Sequence, residues 1–590
     1  MIYPTLKVLG TSRQMIDVFG GYNHNLRIGE GEFYDMTNLT SADYPVLSPR
    51  PKRGIYDDPY LVNPTAMLSK DALCYVDGKD FVINNYRVDM GLSNEPKTLV
   101  SMGAYVIIMP DKKYINTASP GADEGVFDHG DIEATVSANF FDIYPCLLDG
   151  KLLVDMMLPA PPAEPKNLDY WLDTSSDPFV LKQYSSDKDE WLSVPTTYLK
   201  ISSQVLNDIF SEGDGITISV QEGLSGLEGI VGTHVVQAVG ENYIIIKGML
   251  RGGSYGEATA YGITFKRLMP KMDFIIESGN RLWGCRYGTD NNGDVVNEIY
   301  ASKLGDFKNW SCFSGISTDS YAASVGTDGQ FTGAVTYLGY PIFFKENCIH
   351  KVYGNFPSNY QIQTTSCRGV QQGCSKSIAI VNETLFYKSR SAICAYDGSL
   401  PSEVSSALGD VAYSDAVAGV LGNKYYISMK NDKNEYSLFV FDTKKGMWHR
   451  EDDTQVMEFC SNKGNLYYID YGELSSVKKI KSVVATDDDP YDVKWSAITG
   501  YIGTDSPDKK YISGLVVRLS LEVGASVVFY AEYDSSGEWE HLFTKDGTKL
   551  GSVSIPVRPK RCDHMRLRIE GKGMAKIYSI CKTIEQGSDV

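Results

Sequence analysis

Seven histidines and eleven cysteines are the side chains best suited to nucleophilic, acid–base or metal chemistry. His24, His350, His449 and His564 stand among strand or turn residues, with no sequence cue that links them to a Ser or Cys. A triad would therefore have to be assembled by the fold rather than by a local motif. No Gly-x-Ser-x-Gly elbow and no His-Glu-x-x-His stretch occurs. Cys367 and Cys374 are the closest cysteine pair, but six residues separate them and no His-x-x-x-His follows, so no zinc site is expected. Asp290-Asn-Asn-Gly-Asp294 alternates carboxylates and amides as a calcium loop does. It lacks the glycine at the sixth position, and Ala301 stands where a bidentate Glu belongs, so a polar turn accounts for it. Gly571-Lys-Gly573 lies between two strands, not before a helix, and lacks the array of N–H donors that cradles phosphate. The acidic runs Glu451-Asp452-Asp453 and Asp487-Asp488-Asp489 read as solvated loop charges. No catalytic, cofactor-binding or metal-ligating residue is assigned from sequence.

Carbohydrate chemistry has the nearest approach to a signature. The Asp-box of sialidases needs Ser-x-Asp-x-Gly-x-Thr-Trp, and Asp442-Thr-Lys-Lys-Gly-Met-Trp448 and Asp534-Ser-Ser-Gly-Glu-Trp539 approximate it without the leading Ser-x. Both fit hairpin turns in which Asp caps, Gly takes a positive φ and Trp opens the next strand. The paired acids of glycoside hydrolysis are not identifiable. Two short basic stretches, Arg50-Pro-Lys-Arg53 and Arg558-Pro-Lys-Arg561, read as solvated turns, with contact to an acidic neighbour or nucleic acid as the alternative.

The elements that must carry these residues are strands. The 590 residues include 39 Tyr and 55 Gly, which suits half-buried strands joined by many turns. The net charge of -18 argues against a groove that grips nucleic acid, yet an acidic wall would let DNA pass without sticking. The odd number of scattered cysteines and the absence of a basic-then-apolar leader point to folding in a reducing compartment. No run of apolar residues is long enough for a helical membrane span.

Hairpins recur along the chain. Residues 72–84 read as strand, Asp-Gly turn, strand, and residues 104–116 repeat the pattern with Pro110-Asp111 at the bend. From residue 272 to 484 aromatic-rich hairpins return about every 40–50 residues, the spacing of propeller blades. Residues 159–165, a proline cluster, read as a stiff linker into an inserted domain with one short helix over 203–210. The last hundred residues alternate apolar and polar positions, as in Met565-Arg-Leu-Arg-Ile-Glu, and suggest a small sandwich. The expected fold is all-β, a β-propeller with an inserted small domain and a C-terminal β-sandwich-like domain. Its divisions are residues 1–160 (an extension and the first blades), 161–268 (the insert), 269–485 (the remaining blades) and 486–590 (the sandwich).

Several segments resemble the β-propeller virion proteins of bacteriophage tails, of the hub, nozzle and packaged-DNA stabilisation type. They are Asp35-Met-Thr-Asn-Leu with Tyr44-Pro-Val-Leu-Ser-Pro-Arg-Pro, Gly279-Asn-Arg-Leu-Trp, residues 299–310 ending in Asp-Phe-Lys-Asn-Trp, residues 343–354, and Gly373-Cys-Ser-Lys-Ser. Pro507-Asp-Lys-Lys-Tyr and Arg558-Pro-Lys-Arg-Cys-Asp-His share that character. The resemblance implies a non-enzymatic structural subunit of the virion tail, made in the bacterial host cytoplasm. It further implies a homo-oligomeric ring, expected as a hexamer, below the portal and adaptor, whose lumen passes double-stranded DNA and helps retain the packaged genome. It carries no catalytic residues, cofactor or metal. The runner-up is a carbohydrate-binding or carbohydrate-cleaving propeller acting as a phage receptor-binding protein, which predicts an aromatic-lined pocket with converging acids. A cellular peptide-binding propeller, monomeric and grooved, is the third reading.

Overall fold

A computed structural model describes residues 10–56, 61–220, 227–250, 255–290, 292–471, 478–485, 493–504, 509–558 and 560–586. The chain is all-β, a β-propeller with an inserted β domain and a C-terminal sandwich-like domain. Among the described residues the helical pieces are seven 3-10 turns of three residues each. The helix expected over 203–210 is one of them, Gln204–Leu206. Ser203 lacks a side-chain capping bond and the chain turns extended again at Asn207, so the helix does not propagate.

Two compact units divide the chain. The first comprises Met1–Lys97, Phe344–Ile349 and Thr365–Val590. Its propeller part holds four sheets of up-and-down strands. One is Pro64–Lys70, Ala72–Asp77, Asp80–Ile83 and Tyr86–Asp89. Another is Ala379–Val381, Thr384–Lys388, Ile393–Tyr396 and Ser402–Glu403. A third is Tyr413–Leu421, Lys424–Asn431, Tyr436–Asp442 and Met447–Arg450. The last takes Val456–Asn462, Asn465–Asp470 and Lys479–Ser482 from late in the chain and Gly54–Ile55 from its beginning, with Lys481 opposite Ile55. That early strand covers an edge that would otherwise offer unpaired N–H and C=O groups. Apolar side chains seal neighbouring sheets, as where Met67, Leu73, Tyr75 and Val82 meet Cys460, Ile469 and Ile480. Each such fully buried large side chain contributes on the order of 1.5–3 kcal/mol.

The same unit ends in the sandwich-like domain, which is continuous with a propeller sheet. Met447–Arg450 pairs with Gly21–Tyr22, which pairs in parallel with Glu32–Thr37. The ladder then runs through Lys494–Thr499 and Met565–Lys572 to the 24-residue strand Lys510–Tyr533. Midway along this strand Glu522, Val523 and Gly524 are exposed, and its register with Glu540–Ile555 shifts between Leu521 and Ser526. Before this point it pairs with Ala575–Gln586, and after it with Met565–Lys572, so one strand serves two ladders. Ile512, Leu515, Val517 and Leu519 face the core from the first half, and Val527, Phe529 and Ala531 from the second.

The second unit comprises Thr98–Phe343 and His350–Thr364. Its propeller sheets include those built on Thr98–Met102 and on Phe274–Glu277, each with three further strands, and Gly333–Tyr337 begins another. Between the first two of these sheets in sequence lies a closed six-stranded barrel of Ala134–Cys146, Tyr198–Ser202, Tyr243–Lys247, Gly232–Gly240, Gly215–Ser219 and Gly256–Arg267. The barrel takes its first strand from Ala134, so the proline cluster lies inside the inserted region instead of at its entrance. Asp214 clamps the barrel to the unit: it accepts from Arg267 at 2.6 Å and from Asn309 Nδ2 at 2.8 Å, all buried. Asn309 belongs to the Asp-Phe-Lys-Asn-Trp segment, and its Oδ1 accepts the Gly215 amide at 2.9 Å.

Candidate functional site

The charged runs singled out in the sequence meet one another. Arg53 reaches Glu451 and Asp452, each at 2.7 Å, and Arg50 lies 3.6 Å and 3.5 Å from the same two carboxylates. Burial alone would raise the Asp452 carboxyl, but Arg53, Thr454 and Arg50 hold it below the usual range. The solvated-loop expectation for Glu451 and Asp452, and the solvated-turn expectation for Arg50 and Arg53, are thereby corrected: two opposite runs neutralise each other in the interior. Asp453 is exposed and pairs with Arg450. Asp487-Asp488-Asp489 lies outside the described residues. Asp290 binds the Asn292 and Asp294 amides through Oδ1, closing a turn on itself. Among the described residues no group of three or more His, Cys, Asp or Glu could hold a metal ion. None of the eleven cysteines is in a disulfide. Burial pushes the Cys74, Cys146 and Cys460 thiols up to about 12, which leaves them unreactive.

The two Asp-box-like turns differ. Asp442 Oδ1 accepts the Lys444 and Lys445 amides at 3.1 Å, Ser41 donates to Oδ2 at 2.6 Å, Gly446 has φ 67° and Trp448 is buried. This turn is wholly engaged in packing. At Asp534 the carboxylate instead crosses to another loop, where Oδ1 accepts the Asp563 amide at 2.7 Å. Trp539 lies half-buried with its ring 4.8 Å from the Arg568 guanidinium. In the basic stretch beside it, Lys560 pairs with Glu540, and Pro559 is outside the described residues.

Three of the four histidines are held as packing groups. His24 bonds the Tyr34 carbonyl at 2.9 Å and stacks on that ring at 4.3 Å. His350 is buried between the Thr327 and Thr364 hydroxyls at 2.9 and 2.8 Å. His449 is buried near Lys424 and Asp442, and burial lowers it to about 3. His564 is different, since its ring stands edge-on to the exposed Tyr501 at 4.7 Å.

Around Tyr501 the outer face of the C-terminal sheet carries a row of sandwiched arginines. On Met565–Lys572 the inward residues are Met565, Leu567 and Ile569, which leaves Arg566, Arg568 and Glu570 on the opposite face. Arg566 lies between the rings of Tyr34 and Tyr501, at 4.6 and 5.2 Å. Arg568 lies between Tyr530 and Trp539, at 4.6 and 4.8 Å. Each cation over a ring contributes on the order of 0.5–1 kcal/mol where water reaches it. The stacks also hold the guanidinium planes in place, and Arg566 Nε donates to the Thr499 carbonyl at 3.3 Å. Glu570 sits 3.1 Å from Arg568 and borders a cavity of about 390 Å³ lined also by Thr37, Ser496, Ser526, Lys494 and Lys572. Flat rings, forked donors, hydroxyls and a carboxylate share one sheet face. They could stack on a sugar ring and bond its hydroxyls. Sequence reading passed over these residues: the Arg566-Leu-Arg568 alternation marked the face, but the rings come from three distant segments.

No family model and no curated protein matches the chain. Among solved structures it is similar to exo-β-1,3-galactanase from Phanerochaete chrysosporium, with 11% identity, a TM-score of 0.21, and coverage of 52% of this chain and 94% of that one. The phage phi92 endosialidase matches at 10% identity and a TM-score of 0.21, over 78% of this chain and 74% of that one. A Trypanosoma rangeli sialidase matches at 9% identity and a TM-score of 0.18, over 90% and 96%. The expectation of a non-enzymatic chain is withdrawn, because the structures it matches include glycosidases and sialidases. Likenesses this low carry no argument about which chemistry, if any, this chain performs.

Proposed function

We propose that this chain is a β-propeller protein of a bacteriophage tail that binds carbohydrate through the outer face of its C-terminal sheet. The observation that carries the carbohydrate part is the pair of arginines, Arg566 and Arg568, each held between two aromatic rings. The tail setting rests on the segment resemblance, including Asp306-Phe-Lys-Asn-Trp310. Receptor glycans of a bacterial surface are the ligand class that joins the two.

The test is a glycan array followed by calorimetry on the full chain. Saturable binding is expected, weakened at least about tenfold by Trp539→Ala, since a stacked ring lost from such a face costs on the order of 1–2 kcal/mol. Arg568→Ala should weaken it similarly, while both variants keep the parental melting temperature to within a few degrees. A chain that binds no bacterial glycan, or binds equally well in both variants, would refute the reading.

A second reading is the ring that conducts DNA below the portal and adaptor, as a hub or nozzle retaining the genome. The resemblance favours it, and so does the net charge of -18, which suits a lumen that does not hold phosphate.

A further inference from the structure

Beside the arginine row, the turn after Tyr533 and the loop before Met565 bring together three residues from two stretches of the chain. Ser535 Oγ lies 2.7 Å from His564 Nε2. His564 Nδ1 lies 3.0 Å from Asp563 Oδ2. This is the connectivity of a nucleophile, its general base and the carboxylate that fixes the base's tautomer: with Nδ1–H donating to Asp563, Nε2 is the free acceptor for the Ser535 hydroxyl. The loops are tied by the Asp534 amide donating to the His564 carbonyl at 3.0 Å, and by Asp534 Oδ1 accepting from the Asp563 amide. Asp534 and Ser535 have φ 50° and 52°, the left-handed region that side-chain-bearing residues adopt at a cost of about 1–2 kcal/mol each. Ser535 is exposed at the apex of this turn, whereas His564 is partly shielded by Tyr501.

We propose that Ser535, His564 and Asp563 form a serine-nucleophile site that hydrolyses short acyl esters, with acetyl esters on a carbohydrate as its substrate class. Tyr501 contacts both His564 and Arg566, so a sugar lying on the arginine row would present its acyl groups to Ser535. That carbohydrate assignment rests on the binding face proposed above; the nucleophile does not. In the first step the Ser535 proton passes to Nε2 as Oγ bonds the ester carbonyl carbon. The carbon–alkoxy bond then breaks, and the leaving alcohol takes the proton from Nε2. Water next attacks the acyl-serine, gives its proton to Nε2, and the carboxylic acid departs as Ser535 recovers its own. Asp563 is a positioning residue that keeps Nε2 unprotonated toward Ser535.

The experiment treats the full chain with a fluorophosphonate probe and maps the adduct by mass spectrometry, alongside turnover of p-nitrophenyl acetate. Labelling at Ser535 is expected, lost in Ser535→Ala and slowed about 10²–10⁴-fold in His564→Gln, the share that general-base catalysis supplies. Asp563→Asn should lower kcat and leave KM unchanged. No adduct at Ser535, or an adduct whose rate His564→Gln leaves unaltered, overturns the proposal. Melting curves of the variants guard against misfolding, and Ser535→Ala removes only an exposed hydroxyl. Acetate release from an acetylated bacterial polysaccharide separates the two parts. Turnover of the nitrophenyl ester without acetate release would retain the nucleophile and overturn the carbohydrate substrate.

Discussion

His449 lies in the interior near Lys424, Lys445 and Asp442, and burial holds its ring neutral down to about 3. An unfolded chain takes up a proton there near pH 6.5, so between those values the unfolded state binds one more proton than the folded one. Stability at this site is therefore complete above about 6.5 and is lost as the pH falls toward 3. The full effect is on the order of 5 kcal/mol. In His449→Gln, the slope of unfolding free energy against pH between 6.5 and 4 should fall by about one proton; an unchanged slope would mean the ring is solvated. None of this was legible in the sequence, where His449 looked like the other strand histidines. Arg53 and Glu451 teach the same lesson. Each run read alone as a solvated turn, because their pairing joins segments at opposite ends of the propeller part of the chain.

At the scale of strands and turns, local pattern carried much more. The hairpins at Ala72–Asp77 with Asp80–Ile83, and at Tyr105–Met109 with Lys113–Asn116, follow directly from alternation and turn residues. Alternation also placed Arg566, Arg568 and Glu570 on one face of their strand. What it could not supply was partners, since Tyr34, Tyr501, Tyr530 and Trp539 arrive by non-local pairing. Gly571 shows why that pairing tolerates little change. It lies opposite Trp495, and a Cβ there would stand 2.1 Å from the indole. Gly571→Ala should cost about 1–3 kcal/mol by overpacking. Trp495→Leu should recover part of the loss in the double variant, a coupling read from denaturant midpoints. Additive losses would place the strain elsewhere.

At the scale of the whole molecule, the net charge of -18 and the tail resemblance bear on assembly more than on chemistry. If the conduit reading holds, purified chain or the particle that carries it should show rings with a central hole by negative stain, at a mass that is a multiple of 65.3 kDa. A protein that stays monomeric and joins no particle would leave the glycan-binding reading alone. The early strand opposite Lys481 has a further consequence, for the time at which the molecule is made. Ile55 emerges from the ribosome long before the residue it must pair with. At about 5–20 residues per second the wait is on the order of a minute. Through that interval the first segment has no partner, and the late sheet edge does not yet exist. The yield of such a chain should follow translation speed more closely than its equilibrium stability.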